Sequence, residues 1–350
     1  MSVPAPAAVR PRWFGVGKWL AIAGLGALAM AVPYLPWPVD NPGDVTLYAR
    51  MGLSALVAIG LSLLMGFAGQ VSLGQGAFFA LGAYTAGLLS IPATALAGLD
   101  VGLDPLLSLL IAPVLTAGVA AVVGVPLLRL RGHYLAFATL ALHLILLAVI
   151  FGEEALTGGQ TGLIGIPALE VGGRAINGAL HAAVVWACVL VAFIVAQNLV
   201  TSRAGRGLQA IAASESSAAA SGVNVTSYKL RLFVLAAGFA GLAGGLYTYL
   251  LLYLSPDAFG LIISIEFVVM VAVGGLGSVS GAVLGAIGVS LLQEYLTKLG
   301  TRQELLGFDL PVQAPTVFRI GVYGAIFVLV MLFFPRGLLP AFTGAIRRRR

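Results

Sequence analysis

Residues 66–77, GFAGQVSLGQGA, interrupt two long apolar runs of the chain with four glycines and the polar residues Gln70, Ser72 and Gln75. Glycine at this density disfavours a continuous helix. If the flanking runs cross a membrane, irregular backbone between them persists only where protein or a water-filled cavity satisfies its polar groups. We therefore expect the three polar side chains either to line or gate a path through the membrane, or to form an ordinary polar turn between two spans.

The composition of the whole chain is that of a membrane protein. Of its 350 residues 60% are hydrophobic and 9% are charged, whereas about one quarter of a soluble domain is charged. The net charge of +6 does not indicate a nucleic-acid partner, because the cationic residues lie at the ends of apolar runs, as in membrane proteins. A cytosolic enzyme, a disordered chain and a nucleic-acid-binding domain are excluded, and membrane lipid is the expected surrounding.

Apolar stretches near the length of about 20 residues that a spanning helix needs occur ten times. The predicted spans are Trp19–Tyr34, Val45–Leu64, Gly76–Ala97, Leu106–Leu128, Tyr134–Phe151, Ala179–Val200, Leu230–Leu254, Leu261–Val273, Ala282–Leu296 and Val317–Phe334. The eighth and ninth are short, and form either two spans or one broken helix with a re-entrant piece. The sequence thus predicts an all-α integral membrane protein of about ten transmembrane helices, in a single domain over residues 1–350.

The distribution of basic residues predicts the direction of the spans. With the N-terminus in the cytoplasm, fourteen of the 19 Lys and Arg residues lie inside and five outside, as expected for an inner-membrane protein. We therefore predict a multi-pass protein of the cell inner membrane with both termini cytoplasmic. A competing interpretation makes the first apolar run, which ends near Ala27-Leu28-Ala29, a cleaved signal peptide.

A polar loop over residues 201–229 falls on the predicted cytoplasmic side. Ser202 is suited to cap a short helix and Gly222 to end it. Between them the spacing of Leu208, Ile211, Ala212, Ala218 and Ala219 places apolar residues on one face. The loop is either a docking surface for a cytoplasmic partner or a plain connection with arginines at the membrane edge.

Motifs of catalysis and of ATP binding do not occur in the sequence. None of its three lysines lies in the G-x-x-x-x-G-K-[ST] pattern that cradles phosphates, and its three histidines lack the spacing of metal ligands. We expect a protein that is not an enzyme and has no cofactor or metal. Only Glu266 and His143 suit an ion-coupled transporter, and His143 is better suited to bond a neighbouring helix as a neutral imidazole.

A second glycine-rich stretch, Gly274–Gly281, follows the eighth span and resembles the first in composition. Such similarity suggests two related halves, as many transporters have. The G-x-x-x-G pairs Gly241/Gly245 and Gly281/Gly285 would permit close helix contacts.

Taken in order, six segments resemble the LivM-type permeases of ATP-driven branched-chain amino-acid importers. They are Gly66–Tyr84, Gly132–Leu140, Thr157–Pro167, Ser202–Gly222 with Val223–Val225, Ser255–Phe259 and Ser264–Gly285. The resemblance implies an ABC importer permease fold with broken glycine-rich helices. It also implies a second, homologous permease with the translocation path between the two, two cytoplasmic ATPase subunits and an extracytoplasmic substrate-binding protein.

The resemblance also assigns roles to residues. Gln70, Ser72 and Gln75 are expected to line or gate the path, and Arg203, Arg206, Glu215 and Gly222 to serve ATPase coupling. The chain departs from the family pattern at Leu144 and Leu147, where relatives commonly have charged residues, and at Ala219, where a second acidic residue is usual. A urea or amide importer permease, a secondary transporter, an intramembrane enzyme and a passive channel remain as alternatives.

Overall fold

The computed structural model of the chain describes residues 16–34, 42–91, 102–130, 132–300, 304–305 and 308–309, with residues 321, 324, 325 and 328. The helices are α1 (Val16–Ala31), α2 (Pro42–Phe67), α3 (Gln75–Ser90), α4 (Pro105–Leu127), α5 (His133–Gly152), α6 (Glu154–Thr157), α7 (Gly178–Thr201), α8 (Arg203–Ala213), α9 (Glu215–Ala220), α10 (Val225–Leu251), α11 (Leu261–Gly274) and α12 (Val279–Gly300). Short 3-10 turns cover Val32–Tyr34, Gly159–Thr161 and Pro256–Phe259. Two small antiparallel hairpins join β1 (Glu170–Val171) to β2 (Arg174–Ala175) and β3 (Glu304–Leu305) to β4 (Phe308–Asp309).

Seven segments of the described residues are long and apolar enough to cross a membrane. They are Gly43–Phe67, Pro105–Leu127, His133–Gly152, Gly178–Thr201, Val225–Leu251, Pro256–Gly274 and Val279–Lys298. Each corresponds to one of the predicted spans. The first predicted span is the helix α1 with its 3-10 turn, and the tenth, Val317–Phe334, lies almost entirely outside the described residues, as do both termini. The prediction of a helical membrane protein is therefore confirmed, while the count of ten stays a prediction.

The third predicted span, Gly76–Ala97, is shorter in the structure. The helix α3 has 16 residues and ends at Ser90, because Ile91 adopts an extended conformation. Pro92 follows in the sequence, and the residue before a proline is disfavoured in a helix. At 1.5 Å per residue α3 is about 24 Å long, which is less than the roughly 30 Å hydrocarbon core of a bilayer.

The core lies around α10, which packs against α2, α3 and α4. Alanines and glycines bring these helices close together: Ala236 and Ala240 are fully buried, and a methyl group at Gly82 of α3 would overlap the backbone of Gly241 of α10. Aromatic rings fill the space beside the crossing, with Phe78 and Phe233 edge to face at 5.4 Å. The close contact predicted from the first G-x-x-x-G pair is thus confirmed.

The eighth and ninth predicted spans are two separate helices, α11 and α12, which form a hairpin. The Ser278 hydroxyl accepts a hydrogen bond from the backbone N–H of Gly281 at 3.0 Å and so caps the start of α12. Gly285 lies against the carbonyl of Met270, and Gly281 lies against Gly274. Because only glycine permits backbones this close, the second G-x-x-x-G pair closes the hairpin.

Candidate functional site

A break of seven residues, 68–74, separates the last turn of α2 from the first turn of α3. We call it the α2–α3 break. The backbone N–H groups of Ala68 and Gln70 both donate to the carbonyl of Leu64, at 3.3 and 3.0 Å, which ties the start of the break to α2. The predicted interruption of the helix at the glycine-rich stretch is confirmed.

The far end of the break lies halfway along α5. The backbone N–H of Leu73 donates to the Thr139 hydroxyl at 3.0 Å, and Gly76 contacts the ring of His143. Thr139 and His143 are the seventh and eleventh of the 20 residues of α5, about 9 and 15 Å from its start. Since α5 is long enough to cross a membrane, the first turn of α3 lies near the middle of that crossing.

A continuous chain of hydrogen bonds holds the start of α3. The backbone N–H of Gly76 donates to the Ser264 hydroxyl at 2.9 Å, and the Ser264 hydroxyl lies 2.9 Å from His143 Nδ1. His143 Nε2 lies 2.8 Å from the carbonyl oxygen of Phe259, which can only accept, so Nε2 carries the proton and Nδ1 accepts from Ser264. The chain joins α3, α5 and α11. It gives His143 the structural role that the sequence left open, with the neutral ring bonded on both sides.

Gln70, Ser72 and Gln75 are buried inside the chain, with exposed fractions of 4%, 2% and 0%. The Ser72 hydroxyl accepts from the backbone N–H of Gly74 at 3.4 Å. The side-chain amides of Gln70 and Gln75 have no hydrogen-bond partner among the described residues. The break thus satisfies much of its backbone with hydroxyl groups and leaves two carboxamides unpaired. All three side chains are therefore enclosed by the chain in this conformation.

Thr139 and Ser264 are residues that the sequence analysis did not assign to the site. Both side chains are buried. The Thr139 hydroxyl accepts from the backbone N–H of Leu73 in the break, and the Ser264 hydroxyl accepts from that of Gly76 in α3. A buried hydroxyl residue in an apolar run is the only sequence signal for such a role, and many hydroxyls in spanning helices instead bond their own helix.

The helix α8 lies across the ends of α7 and α10 and beside α2. The Ser202 hydroxyl caps it by accepting from the backbone N–H of Gly205 at 3.3 Å, as predicted. Leu208 and Ile211 face the core, and Arg203 and Arg206 are exposed. The two arginines therefore stand on the free surface that a partner would meet.

The prediction of a single helix between Ser202 and Gly222 is wrong, because the chain forms two helices there. Ser214 interrupts them and caps α9 by accepting from the backbone N–H of Ser217 at 3.3 Å. Of the predicted apolar face, Ala218 is buried and Ala212 and Ala219 are exposed. A serine that can bond the backbone two or three residues later favours a new helix start over continuation.

Gly222 ends α9 as the sequence predicted. Its φ of +83° is in the left-handed region, which glycine adopts without steric cost. The backbone N–H of Gly222 donates to Ala219 at 3.0 Å, and that of Val223 donates to Ala218 at 3.1 Å. These two bonds form a Schellman motif, which turns the chain toward α10.

Glu215 is bonded within the chain as well as open to solvent. Its carboxylate accepts a hydrogen bond from the ammonium of Lys229 on α10. The exposed fraction is 44% for the Glu215 side chain and 9% for the Lys229 side chain. Glu215 thus ties α9 to α10, a role that the sequence spacing did not reveal because Lys229 lies 14 residues away.

The α2–α3 break lies close to α8, a proximity that nothing in the sequence indicates. A methyl group at Gly69 would lie 3.9 Å from Cα of Ala212 on α8. At the end of α2, Gly66 meets the backbone of Gly277, in the turn between α11 and α12. The two glycine-rich stretches therefore pack against each other, and the first of them also lies close to α8.

The remaining candidate residues lie on α11, α5 and α7. Glu266 is half-buried on α11, and Leu144 is about half exposed on α5. His181 Nε2 lies 3.1 Å from the carbonyl of Leu246 and links α7 to α10. The described part of the chain contains no group of three His, Cys, Asp or Glu side chains that could hold a metal ion.

Comparison with known proteins gives one family. Residues 45–331 match the family described as branched-chain amino acid transport system, permease component. The chain is 28% identical to the high-affinity branched-chain amino acid transport system permease protein LivM of Escherichia coli, over 97% of this chain and 79% of the relative. It is 27% identical to the Salmonella typhimurium protein of the same name, over 89% and 74%. A probable branched-chain amino acid transport permease protein LivM of Methanocaldococcus jannaschii is 23% identical over 67% and 68%. No solved structure matches the chain significantly.

Proposed function

Because the chain belongs to the family of branched-chain amino acid transport system permease components, we propose that it is a membrane-spanning subunit of an ATP-driven importer for branched-chain amino acids. We propose a second, homologous permease, two cytoplasmic ATPase subunits and an extracytoplasmic substrate-binding protein as its partners. The whole chain, residues 1–350, would form one permease domain in the cell inner membrane with both termini cytoplasmic. ATP hydrolysis would take place in the separate ATPase subunits.

The observation that carries the mechanism is the close approach of Gly69 of the α2–α3 break to Ala212 of α8, where a methyl group on Gly69 would be enough to reach van der Waals distance. One end of the break lies beside a surface helix with exposed arginines, and the other end is bonded to α5 halfway along that helix. A displacement of α8 is thereby carried into the middle of the membrane. We propose that the break, with Gln70, Ser72 and Gln75, is a gate that is closed in this conformation.

The coupling surface would consist of α8 and α9. Arg203 and Arg206 would contact the ATPase, while Glu215 and Gly222 would fix the position of α9 through the ion pair and the helix end. This divides the four predicted coupling residues into two that touch the partner and two that shape the surface. Closure of the ATPase subunits around ATP would move α8 and open the gate.

The proposal is tested by uptake of labelled leucine into proteoliposomes that contain the purified importer with its binding protein. We expect leucine uptake to require ATP, both permeases and the ATPases. Other branched-chain amino acids should compete with leucine for uptake. Leucine uptake by this chain alone, driven by an ion gradient, would show that it is a secondary transporter, with Glu266 as the candidate ion-coupling residue. ATP-dependent uptake of urea or an amide in place of leucine would support an ATP-driven importer but refute branched-chain amino acids as its substrates.

A further inference from the structure

The two unpaired carboxamides of the α2–α3 region require an explanation. Gln70 and Gln75 are buried, and none of their four side-chain polar atoms has a hydrogen-bond partner among the described residues. Leaving a buried polar group unpaired destabilises the folded chain, because the group loses its hydrogen bonds to water and gains none in return. A side chain as costly as this is commonly retained for a function, such as binding a ligand.

Gln75 is placed to act together with the N-terminus of α3. It is the first residue of that helix, and its preceding residue, Gly74, supplies no side-chain cap. Helical side chains lean toward the N-terminus of their helix, so the Gln75 carboxamide extends past the start of α3 toward the α2–α3 break. The first turn of α3 carries a partial positive charge from the aligned peptide dipoles, while the backbone N–H groups of Gly76, Ala77 and Phe78 already donate within the chain.

The remaining surroundings suit an anion that must leave again. Neighbouring backbone amides are already held in place by the hydroxyls of Thr139, Ser72 and Ser264, which fixes the orientation of the turn. A fixed lysine or arginine would hold an anion tightly, whereas neutral amides and a helix dipole bind it weakly enough for passage. The carboxamide oxygens also accept hydrogen bonds, which suits the ammonium of the same molecule.

We propose that the carboxamide of Gln75, and then that of Gln70, binds the carboxylate of the amino acid in transit beside the start of α3. The inference rests on the proposed transport function. Gln75 lies halfway along the crossing, and Gln70 lies between it and the point where Gly69 approaches α8. The two amides would therefore act in turn as the amino acid moves toward the cytoplasm, when the gate opens.

The test measures leucine taken up per ATP hydrolysed by the complete importer in proteoliposomes. The variants are Gln75→Leu, which removes the amide, and Gln75→Glu, which repels a carboxylate at nearly the same size. The matched control is Gln293→Leu on α12, where the side chain is partly exposed. Hydrogen bonds to a charged group are among the stronger ones, so we expect uptake per ATP to fall about tenfold in Gln75→Leu and further in Gln75→Glu. Stimulation of ATP hydrolysis by the loaded binding protein, and uptake per ATP, should stay near those of the wild type in the Gln293→Leu control.

If the Gln75 variants fail to assemble, the carboxylate site can still be tested by competition between leucine and its analogues for binding to the wild-type importer. Labelled leucine is bound to the importer in nanodiscs without the binding protein, in the presence of excess 4-methylpentanoate or leucinol. We expect 4-methylpentanoate, which keeps the carboxylate, to displace leucine, and leucinol, which lacks it, to fail. Equal displacement by both, or the wild-type uptake ratio in both Gln75 variants, would overturn the site. Absence of ATP-dependent leucine uptake by the wild type would instead refute the proposed function.

Discussion

The ion pair between Glu215 and Lys229 should control whether α9 stays docked on α10. The Glu215→Gln variant leaves the Lys229 ammonium, whose side chain is 9% exposed, without its carboxylate. Exposed ion pairs contribute up to about 1 kcal/mol, and breaking a buried pair costs about 3–5 kcal/mol. Because Glu215 is 44% exposed, we expect an intermediate loss of about 1–3 kcal/mol. The detached state of α9 would then become roughly 5- to 150-fold more populated.

Hydrogen exchange of the assembled importer measures this directly. The backbone amides of residues 217–221 should exchange faster in Glu215→Gln by that factor, while the amides of α8 stay unchanged. Exchanging the two charges, as Glu215→Lys with Lys229→Glu, should restore most of the protection and of the leucine uptake. Charge reversal at Glu215 alone should abolish uptake while the chain remains inserted. Wild-type exchange in the single variant, or equal exchange in the single and the swapped variants, would refute the reasoning.

Three further changes test other parts of the structure. Gly222→Pro should abolish ATP-dependent uptake in proteoliposomes without loss of membrane insertion, because proline cannot adopt the φ of +83° that ends α9; normal uptake would show that this helix end is dispensable. Ser264→Ala removes a link from the hydrogen-bond chain at the start of α3 and should lower the free energy of unfolding by about 1–3 kcal/mol, read as a lower thermal midpoint of the purified complex. Gly82→Leu should prevent assembly because its side chain would enter the backbone of Gly241, whereas Gly118→Leu, with open space around it, should assemble normally; equal yields of the two complexes would contradict the close crossing.

The spanning helices could be predicted because hydrophobic length is a local property of the sequence. The residues at which the helices begin and end depend on single capping residues, which hydrophobic length does not identify. The helix α10 begins at Val225, five residues before the predicted Leu230, because Asn224 caps it through a 3.1 Å bond from the backbone N–H of Ser227. Lys229, the predicted end of the polar loop, lies within this helix. The helix can bury its ammonium because the charge is paired with the Glu215 carboxylate.

The interruption of the chain at residues 68–74 was also predictable, since it follows from glycine content. What lies against it was not, because its partners come from distant parts of the chain. The Ser264 hydroxyl accepts a hydrogen bond from the backbone N–H of Gly76, and the two residues are 188 positions apart in the sequence. Likewise, nothing in the sequence indicates that Gly69 lies close to Ala212. The site is thus composed of local signals whose combination depends on the packing of α2, α5, α8 and α11.

The central claim is that the α2–α3 break moves relative to α5 during transport, and a reversible cross-link tests it most directly. A Cβ at Gly74 would lie 3.2 Å from Cβ of Thr139 and 2.8 Å from the Thr139 carbonyl oxygen. After a shift of a few tenths of an ångström, Gly74→Cys with Thr139→Cys, in a Cys188→Ser background, can form a disulfide that holds the break against α5. The control pair, Gly245→Cys with Ala112→Cys, has its Cβ atoms 3.5 Å apart and joins α10 to α4 away from the break.

Leucine uptake is then measured in oxidised and in reduced proteoliposomes. We expect that oxidation stops uptake by the 74–139 pair, that a reductant restores it, and that the control pair transports leucine in both states. Undiminished uptake by the fully cross-linked 74–139 pair would contradict the claim that the break is the gate.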